Sequence, residues 1–191
     1  NALADAVSPV SYTFDQPTTC GTWCYPDAAY SKLTDGVLGR AGWAANSGAE
    51  WAGWAYQPVV NIDFNFGSAR LIDIVRVGST QDNLGDVVLP SVSIFSSNDN
   101  AVWTLVKSLV VPPVAANDKD LNDTAAHGFL TLTGLGINAQ YVRVGALANG
   151  PWTFVDEVQF DSGRSSAIPE PAALSLLGLG LAGLALARRR A

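Results

Sequence analysis

The sequence predicts an all-β domain, built as a two-layer sandwich and followed by a single C-terminal hydrophobic helix. Three observations carry this expectation. Short apolar alternations run from Tyr30 to Asp161, broken about every 8–15 residues by Gly, Asn, Asp or Pro. The chain holds 18 Gly and 10 Pro in 191 residues, and only 15% of it is charged, a turn-rich composition with little of the charge that solvated helices carry. An uncharged run, Ala172 to Ala187, then closes on Arg188, Arg189 and Arg190.

Taken in order, the strands are expected at Val59–Gly67, Arg70–Gly78, Ser91–Ser97, Val102–Val111, Gly128–Gly134, Gln140–Leu147 and Thr153–Phe160. Each is a β-branched or aromatic-rich run whose apolar residues recur at period two. The Asn98-Asp99-Asn100 cluster reads as a hairpin turn. No stretch before the tail has a helical period. With 48% hydrophobic residues there is ample material for a core. Four segments follow: 1–29 as an N-terminal piece, 30–161 as the sandwich, 162–171 as a linker, and 172–191 as a transmembrane helix with a cytoplasmic Arg cluster.

The net charge is −6, which argues against a nucleic-acid partner. Without the terminal arginines the remainder carries about −9, a surface suited to cations. Cys20 and Cys24 are the only cysteines. They are too few for a structural zinc site. A disulfide formed after export is expected, with a redox pair as the alternative that the spacing disfavours. The chain opens on Asn1 and holds no Met, so removal of a signal peptide is expected.

The sixteen uncharged residues of the tail span roughly 24 Å as a helix, short of the ~30 Å hydrocarbon core, and flanking arginines reaching to the interface cover the difference. The positive-inside rule puts the arginines in the cytoplasm and the domain outside. Pro169-Glu170-Pro171, the apolar run and the Arg cluster together resemble the PEP-CTERM sorting signal. That resemblance implies recognition by an exosortase, and with it an inner-membrane, single-pass protein with a periplasmic domain, or alternatively a cell-surface or extracellular one.

The domain resembles the discoidin, or factor V/VIII C-type, family. Leu33-Thr34-Asp35-Gly36 stands where that family has its Leu-x-Asp-Gly loop. Val59–Val77 is similar to its paired strands, Ser93–Val106 to its Ser-x-Asp-x-x-x-Trp segment, and Gln140–Val144 with Phe154–Phe160 to its closing strands. The resemblance implies a galactose-binding-like jelly roll. It also implies a structural calcium ion between Asp35 and Glu157, with Lys32 supplying a backbone carbonyl. Val37-Leu38-Gly39 follows Asp35, where the family usually offers further oxygen donors. The alternative is that Asp35 only makes the turn and Glu157 faces solvent.

Six tryptophans are present. Trp43, Trp51 and Trp54 are expected in the core. Trp23, Tyr25 and Trp152 lie in loop-like contexts beside Gly or Pro, and are the candidate ligand-binding residues, since exposed rings stack on sugar faces. Asn117–Asp123 is rich in oxygen donors but lacks the Gly and final Glu of an EF-hand loop, and is expected as a solvated connection. The lone His127 has no recognisable partner in sequence, and no nucleophile motif accompanies it. The chain is therefore expected to be no enzyme. The first expectation is a membrane-anchored extracytoplasmic interaction module, such as an accessory subunit contacting lipid and a larger membrane complex. The alternative is a carbohydrate-binding protein of the extracellular matrix, taking a glycan as partner.

Overall fold

In the computed structural model, residues 4–165 are described. One compact unit runs from Ala6 to Gly163. The strands are β1 (Ala4–Ala6), β2 (Ser11–Phe14), β3 (Ala52–Ala55), β4 (Val59–Gly78), β5 (Ser91–Ser97), β6 (Thr104–Leu109), β7 (Phe129–Leu147), β8 (Trp152–Val155) and β9 (Val158–Ser165). Three short 3₁₀ turns, at Lys32–Thr34, Ala45–Gly48 and Ala115–Asn117, are the only helical elements among the described residues. One seven-stranded sheet has the order β1-β9-β4-β7-β5-β6, with β2 also paired to β4, and a two-stranded sheet pairs β3 with β8.

The expected strand pairs 59–67/70–78 and 128–134/140–147 are each one continuous strand. β4 and β7 pair antiparallel along nearly their whole length, from Val59 opposite Leu147 to Gly78 opposite Phe129. Two register shifts bend them, between Asn65 and Arg70 and between Ile72 and Ile74. The burial phase moves with the bends. Val60, Ile62, Phe64 and Phe66 face inward before them, Val75 and Val77 after them. In β7 the inward set runs Leu132, then Leu135, Ile137 and Ala139, then Val142, Val144 and Ala146. A bulge adds residues to one strand only and so turns the opposite face inward. Gly134 and Gly136 take the left-handed conformation that one of these shifts requires, with φ of 67° and 56°.

The bends fold the sheet over one core. Phe64, from the first half of β4, meets Phe160 of β9 at 4.9 Å between ring centroids, and Phe66 meets it at 5.1 Å. Tyr12 of β2 packs on Phe64 at 5.4 Å. Residues 6–29, set apart by the sequence reading as an N-terminal piece, thus belong to the same compact unit, and Tyr12 is buried in its core. The expected hairpin turn is present: Asp99 Oδ1 accepts the N–H groups of Ala101 and Val102, both at 2.9 Å. The segment expected as one strand over 153–160 is two, β8 and β9, interrupted at Asp156-Glu157.

Candidate functional site

β8 reads Trp152-Thr153-Phe154-Val155, and strand alternation splits it between two cores. Val155 joins the main core, while Phe154 and Trp152 face a second aromatic cluster with Tyr25, Trp43, Trp51 and Val87. Across the small sheet their partners are small: Gly53 stands opposite Phe154 and Ala55 opposite Trp152. A Cβ at Gly53 would lie 2.2 Å from the Phe154 ring and 3.0 Å from Tyr25 Cβ. Glycine is what lets Tyr25 lie down on this strand.

Tyr25 arrives there through the cysteine loop. The Thr19 N–H donates to the Gly53 carbonyl at 2.8 Å, and the Gly53 N–H to the Tyr25 carbonyl at 3.1 Å. The Ala55 N–H donates to Thr19 Oγ1 at 2.9 Å. Cys20 and Cys24 are joined, as expected, and the Gly21 N–H closes the loop on the Trp23 carbonyl at 3.0 Å. Trp23 therefore sits at the tip of a cross-linked loop, 62% exposed.

These pieces enclose a cavity of about 200 Å³ lined by Trp23, Tyr25, Trp43, Asp86, Val87, Trp152 and Phe154. All three residues singled out as ligand-binding candidates line it. Tyr25 meets Trp43 edge-to-face at 5.6 Å and Trp152 at 5.5 Å. Trp43, expected in the core, is a half-buried wall of the cavity, and its buried indole N–H has no acceptor among the described residues. Trp51 and Trp54 are core residues as expected.

Asp86 is the one charged side chain in the wall, and nothing in its local sequence singles it out. It ends the Asn83-Leu84-Gly85 turn, where Asp82 Oδ1 accepts the N–H groups of Asn83 at 2.6 Å and Val87 at 2.8 Å. The Trp152 N–H donates to the Asp86 carbonyl at 3.1 Å, and the Val88 N–H to the Trp152 carbonyl at 3.2 Å. Those two bonds hold Asp86 against Trp152, sixty-odd residues on in the chain. No hydrogen bond or ion pair from another described residue reaches its carboxylate. Burial, then the charge of Asp82, raises its pKa, and burial, then Asp86, raises that of Tyr25. Chemically the cavity offers ring faces for stacking and one carboxylate with no partner among the described residues.

The calcium candidates lie elsewhere. Asp35 is exposed and its Oδ1 accepts the Val37 N–H at 2.8 Å, the turn-making role. Glu157 does not face solvent: it is 5% exposed, and its Oε2 accepts the Gly36 N–H at 3.1 Å. Burial pushes its pKa up to about 7, the Gly36 N–H opposes this, and the nearby charges of Asp35 and Asp156 add to it. The structure therefore brings Asp35 and Glu157 into one electrostatic neighbourhood. The Lys32 ammonium turns away to the Trp51 carbonyl at 3.1 Å. No group of three or more acidic, His or Cys side chains clusters among the described residues.

His127 has a partner after all. Its Nδ1 lies 2.9 Å from Asp156 Oδ2 and 3.1 Å from the Gly39 carbonyl, with both side chains buried. Asp156 also accepts the N–H groups of Gly39 and Glu157. Burial acts to lower the pKa of His127, but the Asp156 hydrogen bond and charge, helped by the Gly39 carbonyl, raise it overall. The pair ties the Gly39 loop to the β8–β9 junction. Asn117–Asp123 is a connection of Asx turns, with Asn122 and Ala125 N–H groups donating to Asp120 and Asp123.

The linker from Ser166, Pro169, Glu170, Pro171, the apolar run and Arg188, Arg189 and Arg190 lie outside the described residues. Among the described residues no helix is long and apolar enough to cross a membrane. Nothing there supports lipid contact or a role as accessory subunit of a membrane complex.

Comparison with known proteins places these features. The model of the F5/8 type C domain matches residues 15–158, and that of the PEP-CTERM protein-sorting motif matches residues 167–190. No curated protein matches the chain by sequence. Among solved structures it is similar to the family 32 carbohydrate-binding module of Clostridium perfringens NanJ in complex with galactose, at 16% identity and TM-score 0.52, covering 83% of this chain and 98% of that one. It is similar to the C-terminal domain of a Bacteroides fragilis chitobiase, at 13% identity and TM-score 0.53, covering 82% and 96%. It is also similar to chitosan-binding module 1 of a Paenibacillus chitosanase/glucanase, at 17% identity and TM-score 0.50, covering 82% and 98%. At these identities the likeness is one of fold, an all-β jelly-roll sandwich.

Proposed function

The chain belongs to the F5/8 type C domain family, and from that premise we propose that it is a non-enzymatic carbohydrate-binding protein exported through its PEP-CTERM motif. One observation carries the reading: Trp23, Tyr25, Trp43 and Trp152 converge on a single cavity at the surface. Rings held rigidly by a cross-link and a two-stranded sheet present stacking area with little entropy left to lose on binding. A volume of about 200 Å³ is below that of drug-sized pockets and suits a single sugar ring. The galactose bound by one similar structure and the chitosan-binding of another support a saccharide as the ligand class. The comparisons support this reading better than that of a membrane-complex subunit.

Export and handling by an exosortase, with display at the membrane or cell surface, follow from the sorting motif as part of the same proposal. A calcium ion at Asp35 and Glu157 is a second component. A buried carboxylate whose pKa is pushed up to about 7 beside a second acid is a group that a divalent cation relieves. There Glu157 and Asp35 would hold the ion, with loop carbonyls such as that of Lys32, and it would brace the Lys32–Gly39 loop.

The test is titration of the purified chain against a panel of oligosaccharides, with Trp152→Ala and Trp23→Ala in parallel. Binding weakened up to about tenfold by Trp152→Ala, with an unchanged melting temperature for Trp23→Ala, is expected from stacking worth about 0.5–1.5 kcal/mol. Saccharide binding indifferent to both changes, or none at all, refutes the assignment.

A further inference from the structure

We infer that Tyr56, outside the aromatic cavity, is a second stacking platform, and that the ligand is a saccharide chain with one unit in the cavity and its neighbour on the Tyr56 ring. The inference rests on the carbohydrate reading and extends its site. Its starting point is backbone strain. Five described residues other than glycine take a left-handed backbone: Tyr30, Asn46, Ser47, Tyr56 and Asn100. That conformation is costly for a residue with a Cβ, least so for asparagine. Asn46 and Asn100 are of the tolerant type, and Ser47 follows Asn46 in a tight turn, its N–H donating to the Ala44 carbonyl at 3.1 Å. Tyr30 is bulky, but its ring packs on Phe14 at 4.8 Å and Tyr12 at 6.1 Å, and that packing offsets the strain.

Tyr56 has no such compensation. Its φ is 56°, its side chain is 81% exposed, and it makes no hydrogen bond or ring contact among the described residues. Asparagine or glycine would close the connection from Ala55 to Val59 at less cost. Strain kept at an exposed ring that stabilises nothing inside the fold points to a contact outside it. The place of the ring says which contact. Ala55 stands opposite Trp152 in the small sheet, and the Tyr56 N–H donates to the Pro151 carbonyl at 2.7 Å. Tyr56 is thus one step along the sheet from a wall of the cavity. The cavity, about 200 Å³, has room for one sugar ring, so the rest of a longer chain lies beyond its rim. Neither Tyr56–Val59 nor Leu147–Trp152 contains a charged residue, which suits the apolar face of a neutral pyranose and not a charged group. A lone ring is far too little surface for a stable protein interface.

The experiment is calorimetric titration of the full chain with galactose, glucose and N-acetylglucosamine and with the β-linked dimer and tetramer of each, for wild type, Tyr56→Asn, Tyr56→Phe and Trp152→Ala. In wild type the dimer and tetramer of the preferred sugar should bind up to about tenfold tighter than the single unit, the gain of one added stacking contact. Tyr56→Asn should remove that gain and leave the affinity for the single unit unchanged. Tyr56→Phe should keep most of it, and Trp152→Ala should weaken every length. The melting temperature of Tyr56→Asn should rise by about 2–4 °C, because strain is relieved and no internal contact is lost. Affinity independent of chain length, or a length gain that survives Tyr56→Asn, overturns the inference while carbohydrate binding stands. So does a lower melting temperature for Tyr56→Asn, which would show that the ring serves the fold. Absence of binding to every sugar overturns the carbohydrate reading and this inference together.

Discussion

Glu157 occupies a position where protonation and metal binding compete for the same charge. Its carboxyl titrates at about 7 in the folded chain against an ordinary 4.5. Between those values the folded state keeps a proton that the unfolded state has released, so stability falls as pH rises through that window and levels off above it. His127 acts in the same sense. Its raised value lends stability that is present below about 6.5 and lost as pH climbs through the folded value. Without divalent cation, the melting temperature is expected to decline from pH 5 to pH 8. Glu157→Gln should remove part of that slope and raise the midpoint at pH 8 by roughly 2–4 °C, the response to about 1 kcal/mol in a chain of this size. Calcium should do the same for wild type and nothing for Glu157→Gln. An equal calcium response in both proteins would exclude Glu157 as a ligand. At this scale the sequence was partly legible. Cys20, Cys24, Trp23, Tyr25 and Trp152 could be picked from their contexts, because small loop residues flank them. Asp86 and the His127–Asp156 pair could not, because each acquires its meaning from a partner 29 to 66 residues away.

The cysteine loop works as an element by fixing two of the cavity rings at once. Reduced, its three central residues would be free to leave β3, held only by the Thr19, Gly53 and Tyr25 backbone bonds. The loop-entropy relation gives about 2 kcal/mol for so short a closure. The double variant Cys20→Ser, Cys24→Ser is therefore expected to melt several degrees lower yet remain folded, since Tyr12, Phe64 and the main core are untouched. Its saccharide affinity should fall about tenfold through loss of the Trp23 wall. Unchanged affinity in the reduced protein would show that Trp23 is not part of the binding surface. Element placement shows where sequence patterns stop. Strand period located both halves of β4 and both halves of β7, yet read each pair as two strands. The Phe66–Ala69 and Gly134–Gly136 segments look like turns and are bends, because the hydrogen bonds that continue across them belong to the partner strand. β2 and β3, four residues each, were missed, being too short to show a period.

Across the whole molecule, two long strands pass through both layers and through the bend between them. Val59 to Gly78 and Phe129 to Leu147 form one ladder that continues past its two register shifts, and every other strand of the large sheet hangs from it, directly or through a neighbour. The composition and turn spacing were enough to indicate a sandwich. That the two layers are one bent sheet was not legible, since burial phase reports facing, not continuity. Such a scaffold cannot lose one layer and keep the other: melting either half strips the ladder from its continuation. Heat or urea should accordingly produce one all-or-none transition, with calorimetric and van't Hoff enthalpies equal and near- and far-ultraviolet signals coincident. Two separable transitions would mean that the bends act as hinges. Because nearly all pairings join residues far apart in the chain, assembly should also be slow, on the millisecond-to-second scale of β-rich topologies. A newly translocated copy would thus spend that interval unfolded outside the cytoplasm, its apolar strands open to proteases and to one another.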